Sequence, residues 1–194
     1  MRPADSKEKN SVVEMIMDAI EDNPKIRFLL GKKNYASKIQ ALAQFIYVIS
    51  NRRNAIYVSD DGNGLLIFME STIWKKTWRD GWDHIKMVWS AFEWTRLIKI
   101  LQLEKELEKF RPRNQPYIYV WVLGTRKSHK GGPQARELRD ALFMKAKEMN
   151  LPIYAETAFD QNFWVYQRFG FVAYHTQHYS KIPLTIRFLK RENN

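Results

Sequence analysis

The sequence contains no cysteine and only four histidines among its 194 residues. Lack of cysteine excludes disulfides, a thiolate nucleophile and a cysteine-ligated zinc site. His175 and His178 lie three apart in a segment with a strand-like pattern, so their side chains are predicted on opposite faces, as ordinary surface histidines. The remaining histidines are too scattered for a metal centre, and no metal is expected.

Long apolar runs are absent as well. No uncharged stretch approaches the roughly 20 residues that a membrane-spanning helix needs, and the first ten residues are too polar for a signal peptide. We therefore expect a cytoplasmic protein without a membrane partner. Internal repeats and low-complexity linkers are also lacking, and the length suits one domain spanning residues 1–194.

What the sequence has in excess is positive charge and aromatic residues. Its net charge of +11 favours an anionic partner, whether nucleic acid, an acidic membrane surface or a phosphorylated cofactor. A generally basic surface that keeps the protein dissolved explains the charge equally well. Aromatic residues reach 14% and include seven tryptophans, which suit either a large core or an apolar pocket.

The first third of the chain has the pattern of two helices followed by a hairpin. Ser11 is placed to cap the first helix, and apolar spacing predicts a second helix from about Tyr35 to Ser50. The β-prone runs Ala55–Ser59 and Leu65–Met69 flank the turn sequence Asp-Asp-Gly-Asn-Gly, which predicts two antiparallel strands.

The rest of the chain begins with a helical segment at about 74–110. A stripe typical of a buried helix face recurs in it at steps of four and three, at Trp78, Trp82, Ile85, Trp89 and Phe92. The continuous apolar run Tyr117–Leu123 then predicts a central strand covered on both faces. The elements expected after it are a helix at Pro133–Asn150, a strand at Ile153–Thr157, a short helix at Asp160–Phe169 that Asp160 caps, and strands at Phe171–Thr176 and Leu184–Leu189.

The loop that joins the central strand to its helix, residues 124–136, has four Arg or Lys and no acid. Adjacent glycines let several backbone N–H groups converge on one anion, and the N-terminus of the following helix favours phosphate. This pattern predicts a pyrophosphate site, although an ordinary strand-to-helix turn is the alternative. The glycine patterns of P-loop nucleotidases and of dinucleotide-binding folds are both absent.

Two motifs in this half resemble the Gcn5-related N-acetyltransferase (GNAT) superfamily. The stretch 130–135 is similar to its cofactor loop, Gln/Arg-x-x-Gly-x-Gly/Ala, with departures at Lys130 and Pro133. The stretch 162–171 matches the pattern Asn-x-x-x-Tyr-x-x-x-Gly-Phe at every defined position, and Tyr154–Thr157 before it resembles the family's Tyr-Leu-Glu-Thr strand. The insertion at 74–110 resembles that of the puromycin-type subgroup.

The resemblance implies an α+β (α/β) GNAT fold, in which helices flank a twisted, mixed but mostly antiparallel sheet. It also implies an acetyl-coenzyme A (acetyl-CoA) site in about 116–190, where the pantetheine arm enters between the fourth and fifth strands. The residues predicted to bind the cofactor are Leu123, Thr125, Arg126, Lys130, Gly131, Gly132, Gln134, Ala135, Arg136, Asn162 and Tyr166. The resemblance implies that Leu123 and Thr125 offer backbone contacts to pantetheine and that Lys130 to Arg136 hold the pyrophosphate. Arg126 and Lys127 are expected to meet the remaining phosphate because of their charge.

Two residues are candidates for the chemistry. Tyr166 matches the family's general acid, which protonates the sulfur of the leaving coenzyme A; packing with Phe169 and Phe171 is its alternative role. Glu156 is the candidate base because a carboxylate within an apolar strand needs a partner or a purpose. Its alternative role is a hydrogen bond that orders the loop around Asn162.

Three functions follow in order of preference. The first is direct acetyl transfer to an amine of a small molecule or peptide, with an aromatic or amphipathic amine favoured. The second is a non-catalytic acyl-CoA-binding regulatory module of the same fold. The third is a basic nucleic-acid-binding protein, which core-like spacing of the aromatics disfavours, so no nucleic acid is expected. Both a monomer and a homodimer are compatible with the sequence.

Overall fold

Helices and a hairpin form the N-terminal part of the computed structural model, which describes residues 1–72, 102–179 and 184–193. The predicted second helix and hairpin are confirmed, with ends shifted by one or two residues. A further helix beginning at Pro24 was not predicted; the Asn23 side chain caps it by accepting a hydrogen bond from the Lys25 N–H (2.9 Å). The elements are β1 (Arg2–Pro3), α1 (Lys9–Ile20), α2 (Pro24–Leu30), α3 (Tyr35–Asn51), β2 (Ile56–Val58) and β3 (Gly64–Glu70).

The prediction that Ser11 caps α1 is wrong, because the helix begins two residues earlier. A short 3₁₀ turn at Ser6–Glu8 leads into it, and a capping box closes this turn. The Asp5 carboxylate accepts from the Lys7 N–H (2.8 Å), and Glu8 accepts from the Asp5 N–H (2.8 Å). Ser11 lies inside α1.

The C-terminal part follows the predicted order of elements. Asp160 is the first residue of its helix and Phe159 occupies the cap position, so the prediction of an Asp160 cap is wrong by one residue. Residues 102–107 are helical, whereas the rest of the predicted tryptophan-rich helix, residues 73–101, lies outside the described part of the chain. The elements are β4 (Ile118–Thr125), α4 (Gln134–Met149), β5 (Ile153–Thr157), α5 (Asp160–Arg168), β6 (Val172–Tyr179) and β7 (Leu184–Arg191).

All of these strands join one mixed sheet in the order β1-β2-β3-β4-β5-β7-β6. Every neighbouring pair is antiparallel except β4 and β5, which are parallel. The predicted α+β class, with a mostly antiparallel sheet flanked by helices, is confirmed.

The helices form a layer on each face of the sheet. Alternation along β3 sends Leu65 and Ile67 into a core with α1 and α3, and Leu66 and Phe68 into a core with α4. The predicted central strand, β4, is covered on both faces, because Val122 belongs to the first core and Ile118 and Val120 belong to the second.

The parallel ladder between β4 and β5 is short. It contains three residue pairs and ends at Val120 opposite Ala155, although β4 continues to Thr125 and β5 to Thr157. Beyond these pairs β4 is bonded to β3 alone and β5 to β7 alone. The sheet therefore parts between its fourth and fifth strands.

In the described ranges, no helix is long and apolar enough to cross a membrane.

Candidate functional site

The start of α4 carries the predicted anion-binding groups. Gly131 has a φ of +83°, a backbone conformation that favours glycine. The N–H groups of Gln134 and Ala135 have no hydrogen-bond partner within the described ranges, as expected at the first turn of a 16-residue helix. These free donors and the helix dipole together favour an anion.

Gln134 is buried and has a structural contact. Its side-chain amide donates a hydrogen bond to Asp61 (2.7 Å), which ties α4 to the turn between β2 and β3. Hydrogen bonds from Ser59, Gln134 and Asn63 lower the pKa of Asp61 well below its usual range. A Cβ on Gly132 would lie 2.3 Å from the Gln134 Oε1, so a larger residue there would make the Gln134 side chain shift.

Arg126 and Lys127 contact α1. The Arg126 guanidinium donates to the Ser11 hydroxyl (2.6 Å) and to the Glu14 carboxylate (3.2 Å). The Lys127 ammonium pairs with Glu21, and this hydrogen bond raises the pKa of Lys127. Both side chains therefore fix the loop to α1 in this conformation.

Lys130 and Arg136 are the other two cations of the loop. Both side chains are exposed, and neither has an ion-pair partner in the part of the chain that the structure describes. They flank the free N–H groups of α4 in sequence, so positive charge remains available at the helix start.

Leu123 and Thr125 lie on β4 beyond the last pair with β5. They are paired with Leu66 and Gly64 of β3 on one side, and the other edge of β4 faces the gap between the strands. This placement agrees with the backbone-binding role that the resemblance implies for them.

Tyr166 lies on α5, on the same side of the sheet as α4. Its ring packs edge-on against Phe171 (5.0 Å between centroids) and against the core beneath α4. Burial raises the pKa of Tyr166 to about 12. Within the described residues its hydroxyl has no hydrogen-bond partner. Asn162 is exposed one helical turn before it.

Glu156 lies on the opposite face of the sheet, because it alternates with Ala155. Arg111 holds both carboxylate oxygens, from Nε to Oε1 (2.5 Å) and from Nη2 to Oε2 (3.1 Å), and the Tyr119 phenol is also hydrogen-bonded to Glu156. These contacts differ from the expected hydrogen bond to the loop around Asn162. In that loop the Thr157 hydroxyl accepts from the Phe159 N–H (3.1 Å).

The Arg111–Glu156 pair continues into a chain of charges. Arg111 Nη2 lies 3.4 Å from Glu104, and Glu104 pairs with Lys25 of α2 (2.7 Å). Burial acts to raise the pKa of Glu104, but the charges of Lys25 and Arg111 outweigh it and lower that pKa to about 2. Sequence reasoning missed Arg111, because only its position in space distinguishes it from other arginines.

A cavity of about 540 Å³ opens beside this chain of charges. Tyr117, Tyr119, Arg111, Arg113 and Ser71 are among the residues that line it. This is the side of β4 and β5 that faces away from α4, since these tyrosines and Tyr154 form a separate aromatic cluster.

The two histidines singled out in the sequence have different surroundings. His175 is half-buried and stacks on Phe110 (3.9 Å between centroids), so the prediction that it is a surface residue is wrong. His178 is exposed and its Nδ1 lies 3.0 Å from the Thr185 hydroxyl. Across residues 1–72, 102–179 and 184–193, no group of three or more His, Asp or Glu is arranged to hold a metal ion.

Several solved structures have a fold similar to that of this chain. A histone acetyltransferase HPA2 and related acetyltransferase from Corynebacterium glutamicum superimposes with a TM-score of 0.69 at 15% identity, covering 98% of this chain and 93% of its own. Arylalkylamine N-acetyltransferase 2 from Aedes aegypti gives 0.66 at 13% identity, covering 100% and 98%. Polyamine N-acetyltransferase from Drosophila melanogaster gives 0.66 at 10% identity, covering 98% of each chain.

No family model matches the sequence, and no curated protein matches it significantly. The resemblance to the puromycin-type subgroup stays a prediction. Across nearly its whole length, however, the chain, with its mixed sheet and flanking helices, superimposes on solved acetyltransferase structures. The chain has the GNAT acetyltransferase fold.

Proposed function

We propose that this protein is an acetyl-CoA-dependent N-acetyltransferase whose acceptor is an amine of a small molecule or peptide, and that residues 1–194 form one such domain. The observation that carries the proposal is the parting of β4 and β5 after three residue pairs, next to the free N–H groups at the start of α4. An open strand edge and an anion-binding helix start suit a long ligand with a phosphate at one end.

The residues present fit the phosphate end of acetyl-CoA. The N–H groups of Gln134 and Ala135 and the side chains of Lys130 and Arg136 have no partner among the described residues, and Gly131 has a left-handed backbone. Together they are suited to bind an anion. Pro133 departs from the family motif, yet its φ of −67° and ψ of −20° are helical and allow α4 to begin normally. Engagement of Arg126 and Lys127 by α1 leaves the phosphate role to the other two cations.

The gap between the strands fits the rest of the ligand. The free edge of β4 at Leu123 and Thr125 offers backbone hydrogen-bonding groups, which otherwise lack a strand on that side. Acetyl-CoA supplies a thioester: its acetyl carbon forms a C–N bond with the amine as the C–S bond breaks, the amine loses a proton, and the thiolate gains one.

We propose that Tyr166 donates that last proton. A pKa of about 12 keeps its phenol protonated at neutral pH, and its hydroxyl is not committed to another described residue. The contact of its ring with Phe171 fixes the side chain, so the packing role and the acid role are compatible.

Glu156 remains the predicted base, although it is paired with Arg111. Arg111 donates one hydrogen bond to each carboxylate oxygen, so an amine or a bridging water would reach Glu156 through a lone pair that Arg111 and Tyr119 leave free.

The names of the structural neighbours support an amine acceptor. They include enzymes that acetylate arylalkylamines and polyamines, and a NatC complex bound to a peptide and CoA (TM-score 0.56, 13% identity). These proteins share an acyl-transfer fold while differing in acceptor, and they favour the enzyme over a nucleic-acid-binding protein.

Calorimetric titration with acetyl-CoA tests the cofactor, with ATP and short duplex DNA as controls. We expect selective micromolar binding, weakened at least tenfold by Lys130→Glu combined with Arg136→Glu. The control Lys147→Glu reverses a charge at the other end of α4 and is expected to bind acetyl-CoA normally. Absence of acetyl-CoA binding together with salt-sensitive DNA binding would reject the proposal.

Catalysis is tested separately from binding. Incubation with acetyl-CoA and a mixed panel of amines is followed by thiol release and by mass spectrometry of the acetylated amine. Tight binding without acetylated product from any amine would favour the regulatory acyl-CoA-binding module instead.

A further inference from the structure

The cavity described above lies close to the point where β4 and β5 part. Tyr119 immediately precedes Val120, the last residue of β4 paired with β5, and Arg111 in the cavity wall holds Glu156, which immediately follows Ala155. A group emerging through the gap on this face therefore meets this cavity, here called the tyrosine cavity and defined by Ser71, Glu108, Arg111, Arg113, Tyr117 and Tyr119.

The tyrosine cavity is large enough for a small organic molecule. Its volume of about 540 Å³ falls within the range of ligand sites. A neighbouring hollow of about 380 Å³ shares Ser71, Arg113 and Tyr117 with it, so the two form a continuous groove.

Aromatic rings form the inner wall. Tyr117 packs edge-on against Tyr154 (5.0 Å between centroids), and Tyr154 packs edge-on against Tyr174 (5.5 Å). The Arg111 guanidinium lies 5.1 Å from the centroid of the Tyr119 ring and so covers it. Tyr117 is left as the ring that a ligand in the cavity can meet.

The hydroxyl of Tyr117 is also available. It has no hydrogen-bond partner among the described residues, whereas the Tyr154 hydroxyl accepts from Gln115 (2.8 Å) and the Tyr119 phenol is engaged by Glu156. Burial raises the pKa of Tyr117, so the phenol is a neutral donor. It offers a hydrogen bond next to a flat apolar surface.

The charges in the wall are balanced. The two cations Arg111 and Lys25 are matched by the two carboxylates Glu156 and Glu104. The remaining ionised groups known to line the cavity are one acid, Glu108, and one base, Arg113. The described wall therefore has no concentration of carboxylates of the kind that would attract a polycation.

We infer that the tyrosine cavity binds the acceptor and that this acceptor is an aromatic monoamine, its ring packed against Tyr117 and its amine directed toward the gap between β4 and β5. The inference rests on the proposed acetyltransferase function and specifies its substrate class. Ring packing on Tyr117 and the balanced charges of the described wall select against linear polyamines, which offer several positive charges and no ring.

The test compares three amine probes in the presence of saturating acetyl-CoA: phenylethylamine, spermidine and an alanine-initiated tripeptide. Thiol release is expected to give a kcat/KM at least tenfold higher for phenylethylamine than for spermidine or the peptide. Tyr117→Leu is expected to raise the KM for phenylethylamine about tenfold, the value of one aromatic contact, and Tyr117→Phe to have a smaller effect. Tyr57→Leu, which removes a tyrosine stacked on Phe68 away from the cavity, is the matched control.

The outcomes separate the inference from the proposed function. Turnover of spermidine or the peptide in preference to phenylethylamine, or a KM for phenylethylamine unchanged by Tyr117→Leu in a folded variant, would overturn the aromatic acceptor while leaving the acetyltransferase intact. Failure of the wild-type protein to bind acetyl-CoA would instead remove the proposed function. Circular dichroism and acetyl-CoA affinity of each variant show that it is folded.

Discussion

Replacement of Arg111 by methionine tests whether the buried pair with Glu156 organises the cavity face of the sheet. Methionine keeps an unbranched apolar stem and removes the guanidinium. The side chains of Arg111 and Glu156 are only 17% and 8% exposed, so water cannot replace the lost partner efficiently. The variant leaves a carboxylate in the protein interior with no cationic partner among the described residues.

The expected cost follows from this burial. Loss of one member of a buried ion pair costs about 3–5 kcal/mol of the free energy of unfolding. Glu156→Gln is expected to cost less, about 1–3 kcal/mol, because Arg111 keeps its contact with Glu104 (3.4 Å) and the amide oxygen still accepts a hydrogen bond. The double variant should cost less than the sum of the two, since the charge left by each change is then absent.

Urea unfolding followed by tryptophan fluorescence and by circular dichroism measures these free energies. Arg27→Met is the control, because the Arg27–Asp22 pair is exposed (61% and 64%) and its loss is expected to cost about 0–1 kcal/mol. Equal small costs for Arg111→Met and Arg27→Met, or strict additivity in the double variant, would show that the buried pair does not have the assigned role.

Three further outcomes are expected. Tyr166→Phe lowers kcat at least tenfold and leaves acetyl-CoA affinity unchanged, whereas the control Tyr57→Phe leaves kcat unchanged. Because the pKa of Tyr166 is about 12, a pH–rate profile should show no loss of its proton-donor role between pH 7 and 10. The pKa of Glu104 is about 2 in the folded protein, against an ordinary value of 4.5. Its contribution to the free energy of unfolding is therefore complete above pH 4.5 and is lost as the pH falls toward 2. In urea titrations at several pH values, Glu104→Gln is expected to remove about 1 kcal/mol of this acid dependence, a value reduced for the 39% exposure of the side chain. Gly124→Ala lowers the Tm, measured by thermal unfolding, because its Cβ would lie 2.7 Å from that of Ala19, an overpacking that costs about 1–3 kcal/mol.

Local signals account for what the sequence predicted well. The turn between β2 and β3, the continuous apolar run of β4 and the glycine-rich start of α4 each depend on residues adjacent in the chain. The motif that ends at Phe171 placed α5 and its tyrosine correctly. The start of α1 was misplaced because Ser11 is a good capping residue directly before the apolar spacing. The observed capping box at Asp5 closes a 3₁₀ turn ahead of the helix, and α1 begins after Glu8 without a side-chain cap.

Contacts between distant segments are what the sequence does not show. Arg126 and Lys127 were predicted to meet phosphate because of their charge, in a loop that itself contains no acid. The acids that engage them are Glu14 on α1 and Glu21 directly after it, which come close to this loop only in the folded chain. Glu156 was predicted as the base because a carboxylate in an apolar strand needs a partner or a purpose, and the cation that pairs with it, Arg111, lies 45 residues away in the sequence.

The short β4–β5 ladder has a consequence for how the protein moves. Three residue pairs join a half made of β1–β4 to a half made of β5–β7, so few backbone hydrogen bonds oppose a transient separation of the two. The core beneath α4 still joins the halves through side chains of β3, β4, β5 and β7, so we expect faster amide hydrogen exchange at the free strand edges along this line rather than opening of the halves as separate units. A ligand that bonds to the free edge of β4 while it packs against α5 would link the halves and slow exchange on both sides at once.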